Sequence, residues 1–458
     1  MTDLVELTID ALHPSGDGLA RHHARVISVP FTIPGERVRV RIGATHGGIA
    51  SAILVEVLEP SPHRVHPRCS HFGPGAQPRG IGPCGGCSWQ HVAYPEQLRL
   101  KADLVTRLVR ATVPRAPAAA PTIAGVDAAS PWGYRHKVHF VFGSTGSSGR
   151  ASGTLAMGHY VRGSRRIIPV RECPVHDERG NAVAFHLRDA YARARVEAPP
   201  SGVLRSLAIR VGYRTAELMA TLVVSADTDR RLRTATRRAI ESAHPLTAVH
   251  LNLHPRGDAF IFGRETRRLA GSERMREDVA GVSFLISPTA FFQTNVQAAE
   301  VLVKLVLGAV PAATSVLDLY AGAGLFALPL ARRGNIVIAI EENRAAVDDG
   351  EASLRLNRIP AARCRFLARP VETALSSMHT SEAAVLDPPR EGCSAEVIDA
   401  LFGRLRPRAA VYVSCNPEAL ARDLARIAAH RYRIDSMQPV DMFPHTPHIE
   451  TVVVLTRT

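Results

Sequence analysis

An apolar run, Ala409-Ala-Val-Tyr-Val-Ser, ends on Cys415, and the chain then turns through Asn416-Pro417 into the helix-patterned stretch Glu418-Ala-Leu-Ala-Arg-Asp-Leu-Ala-Arg-Ile. In an open α/β sheet, a residue at the carboxyl end of a strand faces the crevice in which ligands bind. A thiol there is a candidate nucleophile, although a cysteine is as often a small packed hydrophobe. Other strand-like runs also end on functional groups. Ser315-Val-Leu-Asp-Leu-Tyr leads into Ala321-Gly322-Ala-Gly324, a turn whose glycines let the backbone approach a ligand closely. Ile336-Val-Ile-Ala-Ile ends on Glu341, where a carboxylate can accept both hydroxyls of a ribose. Ala384-Val-Leu ends on Asp387 and the proline-stiffened loop Pro388-Pro-Arg390. A dinucleotide site would use the same parts. The turn lacks the third glycine of the pyrophosphate pattern, which favours adenosine without a diphosphate.

The glycine turn resembles the S-adenosylmethionine motif of class I methyltransferases. The Asp387-Pro-Pro loop resembles the one that lies beside the target base in methyltransferases acting on planar nitrogen or carbon. A thiol suits that chemistry when the target is C5 of uracil, a poor nucleophile. Attack of a thiolate on C6 saturates the 5,6 bond and makes C5 enolate-like. After methyl transfer a base must take the C5 proton so that the cysteine can leave. A candidate base is Glu450, in His445-Thr-Pro-His448-Ile-Glu450, just before a final apolar strand. A glutamate opening a strand is otherwise an ordinary solvated residue.

Ser414-Cys415-Asn416-Pro417, Asp387-Pro-Pro-Arg390, Phe291-Phe-Gln293-Thr-Asn and Ile449-Glu450-Thr-Val together resemble the RNA uracil-5 methyltransferase family. The resemblance extends over nearly the whole chain and is strongest from Ser287 onward. That family methylates uridine in large-subunit (23S) ribosomal RNA or in transfer RNA. The resemblance implies Cys415 as nucleophile and Glu450 as base. It places Gln293, Tyr320, Glu341 and Asp387 at the S-adenosylmethionine-binding positions and offers Phe291 as a stacking partner for the target base. Leu325 stands where some members carry a polar ligand contact and is not assigned. Cys393 lies near the Asp-Pro-Pro loop, as one of the two cysteines of RNA cytosine-5 methyltransferases does. Theirs directly follows the prolines, whereas Cys393 comes after Arg-Glu-Gly, so it is read as incidental. Cys364, beside an apolar run, is read as packing.

Four cysteines lie far from this site. Cys84-Gly-Gly-Cys87 follows Cys69, and Cys173 comes much later. Four thiolates, two of them in Cys-x-x-Cys, suit either a tetrahedral zinc or a four-iron cluster, and spacing does not separate the two. The family resemblance, which includes Cys84-Gly-Gly-Cys87-Ser-Trp-Gln90, implies a [4Fe-4S] cluster. It also leans toward ribosomal RNA, because a TRAM-like barrel and four cysteines occur together.

The elements that must position these groups are legible in outline. Residues 1–62 hold short strand-like runs separated by Gly and Pro turns, which predicts a small OB-like β-barrel. The stretch from Gly16 to Val38 resembles a TRAM domain, an RNA-binding barrel. Residues 63–280 predict a central α+β domain with helices over 96–110, 177–196 and 227–242 and a flexible loop over 145–153. Residues 281–458 alternate strand and helix, which predicts an α/β, doubly wound, Rossmann-like domain. The chain's +14 net charge lies wholly before Gly281, since 18 of the 56 basic and 18 of the 42 acidic residues fall after Ala280. A polyanion such as RNA would bind that basic part. No secretory signal or membrane span is expected, nor an obligatory protein partner, so the protein is expected to be cytoplasmic. In that compartment seven cysteines point to metal or catalysis rather than to disulfides. Two rival readings share these features: a transfer-RNA uracil-5 or RNA cytosine-5 methyltransferase, and a cluster-bearing RNA-binding factor without catalysis.

Overall fold

The computed structural model describes residues 4–74, 82–144, 155–242, 246–256, 261–378 and 381–458. The loop expected over 145–153 lies outside them.

Residues 4–59 form a six-stranded sheet in the order Leu4–Thr8, Arg37–His46, Ile49–Glu59, Arg25–Val29, Gly18–His22, Ala11–Leu12. Leu7 on one edge strand shares a core with Ala20, Ile27 and Val29 near the other edge. The sheet therefore folds over on itself, as an OB-like barrel does. The central part is a seven-stranded sheet, antiparallel except where Leu218–Val224 runs parallel to Ala248–Leu253. Helices Glu178–Arg193 and Arg230–Ser242 cover one face of it, packing Val183, Leu187, Leu232 and Ala235 onto Phe140, Leu207 and Leu222.

The third sheet carries the candidate site. Its order is Cys364–Ala368, Ile336–Glu341, Ser315–Leu319, Ala383–Leu386, Ala409–Ser414, Glu450–Arg457, Tyr432–Asp441 and Ile123–Ala124. The first five strands are parallel, and Glu450–Arg457 runs antiparallel to both of its neighbours. Alternate residues face opposite layers, as strand geometry requires. Val316, Val337 and Val411 pack on one side with helices Val296–Ala309, Ala327–Arg333 and Arg344–Leu356; Leu317, Ile340 and Tyr412 pack on the other with Val371–Ser376 and Pro417–Ala429. This is the doubly wound arrangement expected from the alternating pattern.

Besides the edge strand Ile123–Ala124, a helix from ahead of Gly281 and a hairpin that straddles it also join this body. Helix Tyr94–Thr112 adds Val105 and Val109 to one layer, and hairpin Met275–Val279/Val282–Ile286 adds Val279 and Phe284 to the other. Local patterning shows that residues 96–110 form a helix but not which sheet the helix will cover. The docking is fixed by Lys101, whose Nζ lies 2.5 Å from Asp441 Oδ1, both side chains being fully buried. Among the described residues no helix is long and apolar enough to cross a membrane.

Removing one partner of a buried ion pair strands the other charge. Lys101→Met is therefore expected to lower unfolding free energy by about 3–5 kcal/mol in denaturant titrations. A loss below about 1 kcal/mol, the size of a surface pair, would show that the contact does not hold the helix to the sheet.

Candidate active site

Parallel pairing brings the strand ends to one edge. Leu319 pairs with Ile340 and Leu386, and Leu386 with Tyr412, so Tyr320, Glu341, Asp387 and Cys415 all emerge on the same side. The reversed strand completes the set. Ser414 pairs with Thr451, which makes Cys415 and Glu450 the next positions outward on adjacent strands. Asn416 shapes the turn that holds the thiol: its side chain accepts from Glu418 N at 3.1 Å, capping the helix Pro417–Ala429, and its Nδ2 donates to Arg390 O at 2.9 Å. One residue thereby ties the Cys415 turn to the Asp387-Pro-Pro-Arg390 loop.

The glycine turn is shaped for a ligand. Both oxygens of Glu341 accept backbone N–H groups, from Gly322 at 2.9 Å and Asn343 at 2.8 Å. Gly324 has φ +86°, and a Cβ there would lie 2.8 Å from the Phe366 ring. At Gly322 a Cβ would meet nothing within 4 Å, so the turn leaves open space above it. Tyr320 takes the left-handed conformation at φ +60°, which few non-glycine residues adopt outside functional turns, and its ring packs against the layer containing Cys393. Gln293 lies in the loop before helix Val296–Ala309; its neighbour Phe292 packs in the same core as Ala321 and Leu325. Asn295 fixes that loop by donating to Met442 O at 3.1 Å and accepting from Ala298 N. Phe291 is 71% exposed. Just before it, the Ala290 carbonyl accepts from Arg210 at 2.8 Å and from Lys137 at 3.4 Å.

The crevice is acidic. Burial pushes the Asp387 carboxyl up to about 7 and holds Glu450 well above the usual carboxylate range, Asp387 adding to the latter effect. Burial, then Glu450 and Asp387, push the Cys415 thiol up to about 11, while the Arg390 guanidinium opposes that rise. Asp318, inside its strand and fully buried, has neither carboxylate oxygen hydrogen-bonded and is held well above its ordinary value by burial first and then by Asp387. The motifs that contain Asp318 and Arg390 assign neither a role; the signal for Asp318 in the sequence is an acid among apolar strand residues. Asp318 is sealed inside its strand, but Glu341 and Asp387 end theirs, and their oxygens can accept from the hydroxyl and amino groups of S-adenosylmethionine. These acceptors thus fit that ligand. Cys393 is buried and its N–H donates to Asp423 at 2.7 Å, and Cys364 lies in a core layer, so both pack as expected.

The early cysteines gather elsewhere. Cys69, Cys84, Cys87 and Cys173 all line one cavity of about 500 Å³. Backbone N–H groups of His71 and Gly86 donate to the sulfurs of Cys69 and Cys84, each at 3.4 Å, and Gln90 Oε1 accepts from Cys69 N at 3.0 Å. Such N–H donors stabilise thiolate ligands. His159, Cys173 and His176 also have donor atoms within 4.8 Å of one another, a second arrangement open to a single ion.

The comparisons with known proteins agree with this geometry. Residues 273–458 match the family model for tRNA (uracil-5-)-methyltransferase, and residues 3–55 match the TRAM domain. An uncharacterized RNA methyltransferase of Gloeobacter violaceus is 36% identical over 99% of this chain and 96% of its own length. One from Synechocystis is 35% identical over 99% and 95% respectively. The crystal structure of Pyrococcus abyssi tRNA (uracil-54, C5)-methyltransferase with S-adenosyl-L-homocysteine superposes with a TM-score of 0.79, covering 99% of this chain and all of that one. At 24% identity this likeness establishes a shared fold.

A thiol reacts as its thiolate, so its rate climbs about tenfold per pH unit until its pKa is reached. Alkylation of Cys415 by iodoacetamide, followed by peptide mass analysis, is expected to accelerate throughout pH 7 to 9 without a plateau. Arg390→Gln should slow it at every pH, since that cation favours the thiolate. A plateau near neutral pH would show that the carboxylates and burial do not hold the thiol protonated.

Proposed function

The chain belongs to the family of S-adenosylmethionine-dependent RNA uracil-5 methyltransferases, and on that premise we propose that Cys415 is its nucleophile, Glu450 its base, and a uridine of 23S ribosomal RNA its target. The observation that carries the mechanism is the antiparallel register that sets Glu450 beside Cys415. The Cys415 thiolate attacks C6 of uracil, forming an S–C6 bond and leaving C5 as the carbanion-like centre. S-adenosylmethionine, when bound, supplies the methyl group that C5 takes. Glu450 then removes the C5 proton, the electron pair restores the 5,6 double bond, and the S–C6 bond breaks to return the thiolate.

Gln293, Tyr320, Glu341 and Asp387 are assigned to holding S-adenosylmethionine, with Asp318 beneath the glycine turn. Two N–H groups fix Glu341 at its strand end, which supports a role in accepting the hydroxyls of a ribose, and Phe291 is exposed for a base to stack on. Arg390 steadies the thiolate and carboxylate forms of the catalytic pair. The basic first three-fifths and the TRAM barrel support an RNA substrate; choice of ribosomal over transfer RNA rests on the joint presence of the barrel and the four cysteines. For those cysteines we favour a [4Fe-4S] cluster, because all four line one cavity roomy enough for several atoms.

RNA carrying 5-fluorouridine tests the chemistry, since fluorine at C5 cannot be removed as a proton. Wild type should give a denaturation-resistant protein–RNA adduct, and Cys415→Ala none. With ordinary RNA, Glu450→Gln should accumulate the methylated adduct and lose turnover by about 10²-fold or more. Normal turnover by that variant would remove Glu450 from its role. Mapping 5-methyluridine in total RNA, with and without the protein, identifies the target. Separately, protein purified without oxygen should hold about four irons and four sulfides, lost in Cys84→Ser; zinc in their place would overturn the cluster.

A further inference from the structure

The segment Asp441 to Ile449, which leads into Glu450, is held by the polypeptide that bears Cys69, Cys84 and Cys87, three of the four cysteines assigned above to the cluster. Cys87 is followed by Ser88 and Trp89, and both of their backbone N–H groups donate to the carbonyl of His445, at 3.1 and 2.9 Å. His445 is 4% exposed and has φ +64°, a left-handed conformation that a non-glycine residue keeps only when its surroundings impose it. The surroundings are explicit. Gln97 accepts from His445 N at 2.8 Å, the Pro131 carbonyl lies 2.9 Å from its Nε2, and Trp132 stacks on its ring with centroids 3.8 Å apart. A second path runs through Tyr134, whose hydroxyl donates to Pro444 O at 2.9 Å and accepts from Arg135, a residue lining the cysteine cavity. The turn is also pinned from the barrel. Trp89 Nε1 donates to Gly16 O at 2.8 Å, and a Cβ on Gly16 would lie 2.8 Å from Pro447.

The anchoring polypeptide has little structure of its own. From Pro60 to Ala93 the described residues form no helix or strand, only turns and two isolated bridges, Arg64 to Val92 and Cys84 to Val161. An irregular segment of this kind is commonly ordered by the ion its thiols bind, because binding free energy is then folding free energy.

We propose that occupancy of the four-cysteine site positions the catalytic carboxylate: the metal orders Cys84–Trp89, the Ser88 and Trp89 N–H groups hold His445 in its strained conformation, and that holds Glu450 against the Cys415 adduct. His445, Trp89 and Trp132 are positioning residues that touch neither RNA nor ligand in this role. The inference rests on the uracil-5 reading. It predicts that losing the metal impairs proton removal from C5 rather than the first attack on C6.

The test uses full-length protein, S-adenosylmethionine labelled in its methyl group, and total RNA from cells lacking the protein. Label bound to denatured protein reports the methylated adduct; label in RNA alone reports turnover. Metal-stripped wild type and metal-loaded Trp132→Leu should both trap at least about tenfold more protein-bound label than loaded wild type, as Glu450→Gln does. Trp132→Leu keeps all four thiols, so it separates the relay from loss of the metal. The chain has two tryptophans, and both touch this turn; metal removal should make their emission more accessible to acrylamide. The proposal is overturned if stripped protein turns over normally, or if it traps no adduct while Glu450→Gln does. Failure of Glu450→Gln itself to trap label would instead strike the assignment of the base.

Discussion

In the proposed mechanism a cysteine and a carboxylate act on neighbouring carbons of one ring, so they have to reach the same point from different strands. In a purely parallel sheet that is easy for two residues at carboxyl ends and impossible for one at an amino end. Glu450 opens its strand, so it reaches the edge with Cys415 only because Glu450–Arg457 runs antiparallel to Ala409–Ser414. The Ser414–Thr451 pairing sets the distance between them, and slipping it by one residue would turn every side chain of that strand to the opposite face. Core residues enforce the register. Val452 packs into one layer and Val453 and Leu455 into the other, so a slip would exchange their two environments.

That reversal also concentrates acid. Asp318 and Glu450 lie buried and Asp387 half-buried at or near one edge, each held above its ordinary range, with Arg390 as the cation that acts on the thiol and on Glu450. The cost of burying these groups falls on protonation: a carboxyl that loses water keeps its proton. A resting site of this kind keeps its thiol unreactive. The Cys415 thiol, up at about 11, is almost wholly protonated near neutrality. Its reactivity is therefore set by what enters the crevice.

The parts of the site that sequence exposes are those fixed by local geometry. Cys415, Asp387, Glu341 and the glycine turn were legible because strand ends and turns follow from apolar runs and glycine. The gathering of four cysteines into one cavity could be expected from residue type alone, although Cys173 lies far along the chain from the other three. What stayed hidden depends on contacts between distant segments. Helix Tyr94–Thr112 was readable as a helix, but its docking rests on a buried pair between Lys101 and Asp441. The hold on His445 is hidden for a stronger reason, since its donors are backbone N–H groups, which every residue except proline carries. Asp318 was visible as an acid in an apolar strand, yet only coordinates reveal that its oxygens lack partners.

The two halves of the chain carry opposite electrostatic roles, and their meeting constrains how a substrate enters. All of the +14 net charge lies before Gly281, while the crevice after it is lined by Asp318, Glu341, Asp387 and Glu450. An RNA backbone is drawn to the first, whereas the second offers it no comparable excess of cations. Only a base can enter the crevice without bringing phosphate charge into it, so a target uridine must be swung out of its stack and delivered alone, its phosphates left on the basic side. Unstacking costs a few kcal/mol, which a new stacking partner offsets. Phe291, exposed at 71%, stands in the Ala290–Asn295 loop, where Lys137 and Arg210 hold the preceding carbonyl and Asn295 bonds to Met442 near the strand end opposite Glu450. That loop therefore joins the cationic half to the acidic one at the point where a base has to cross.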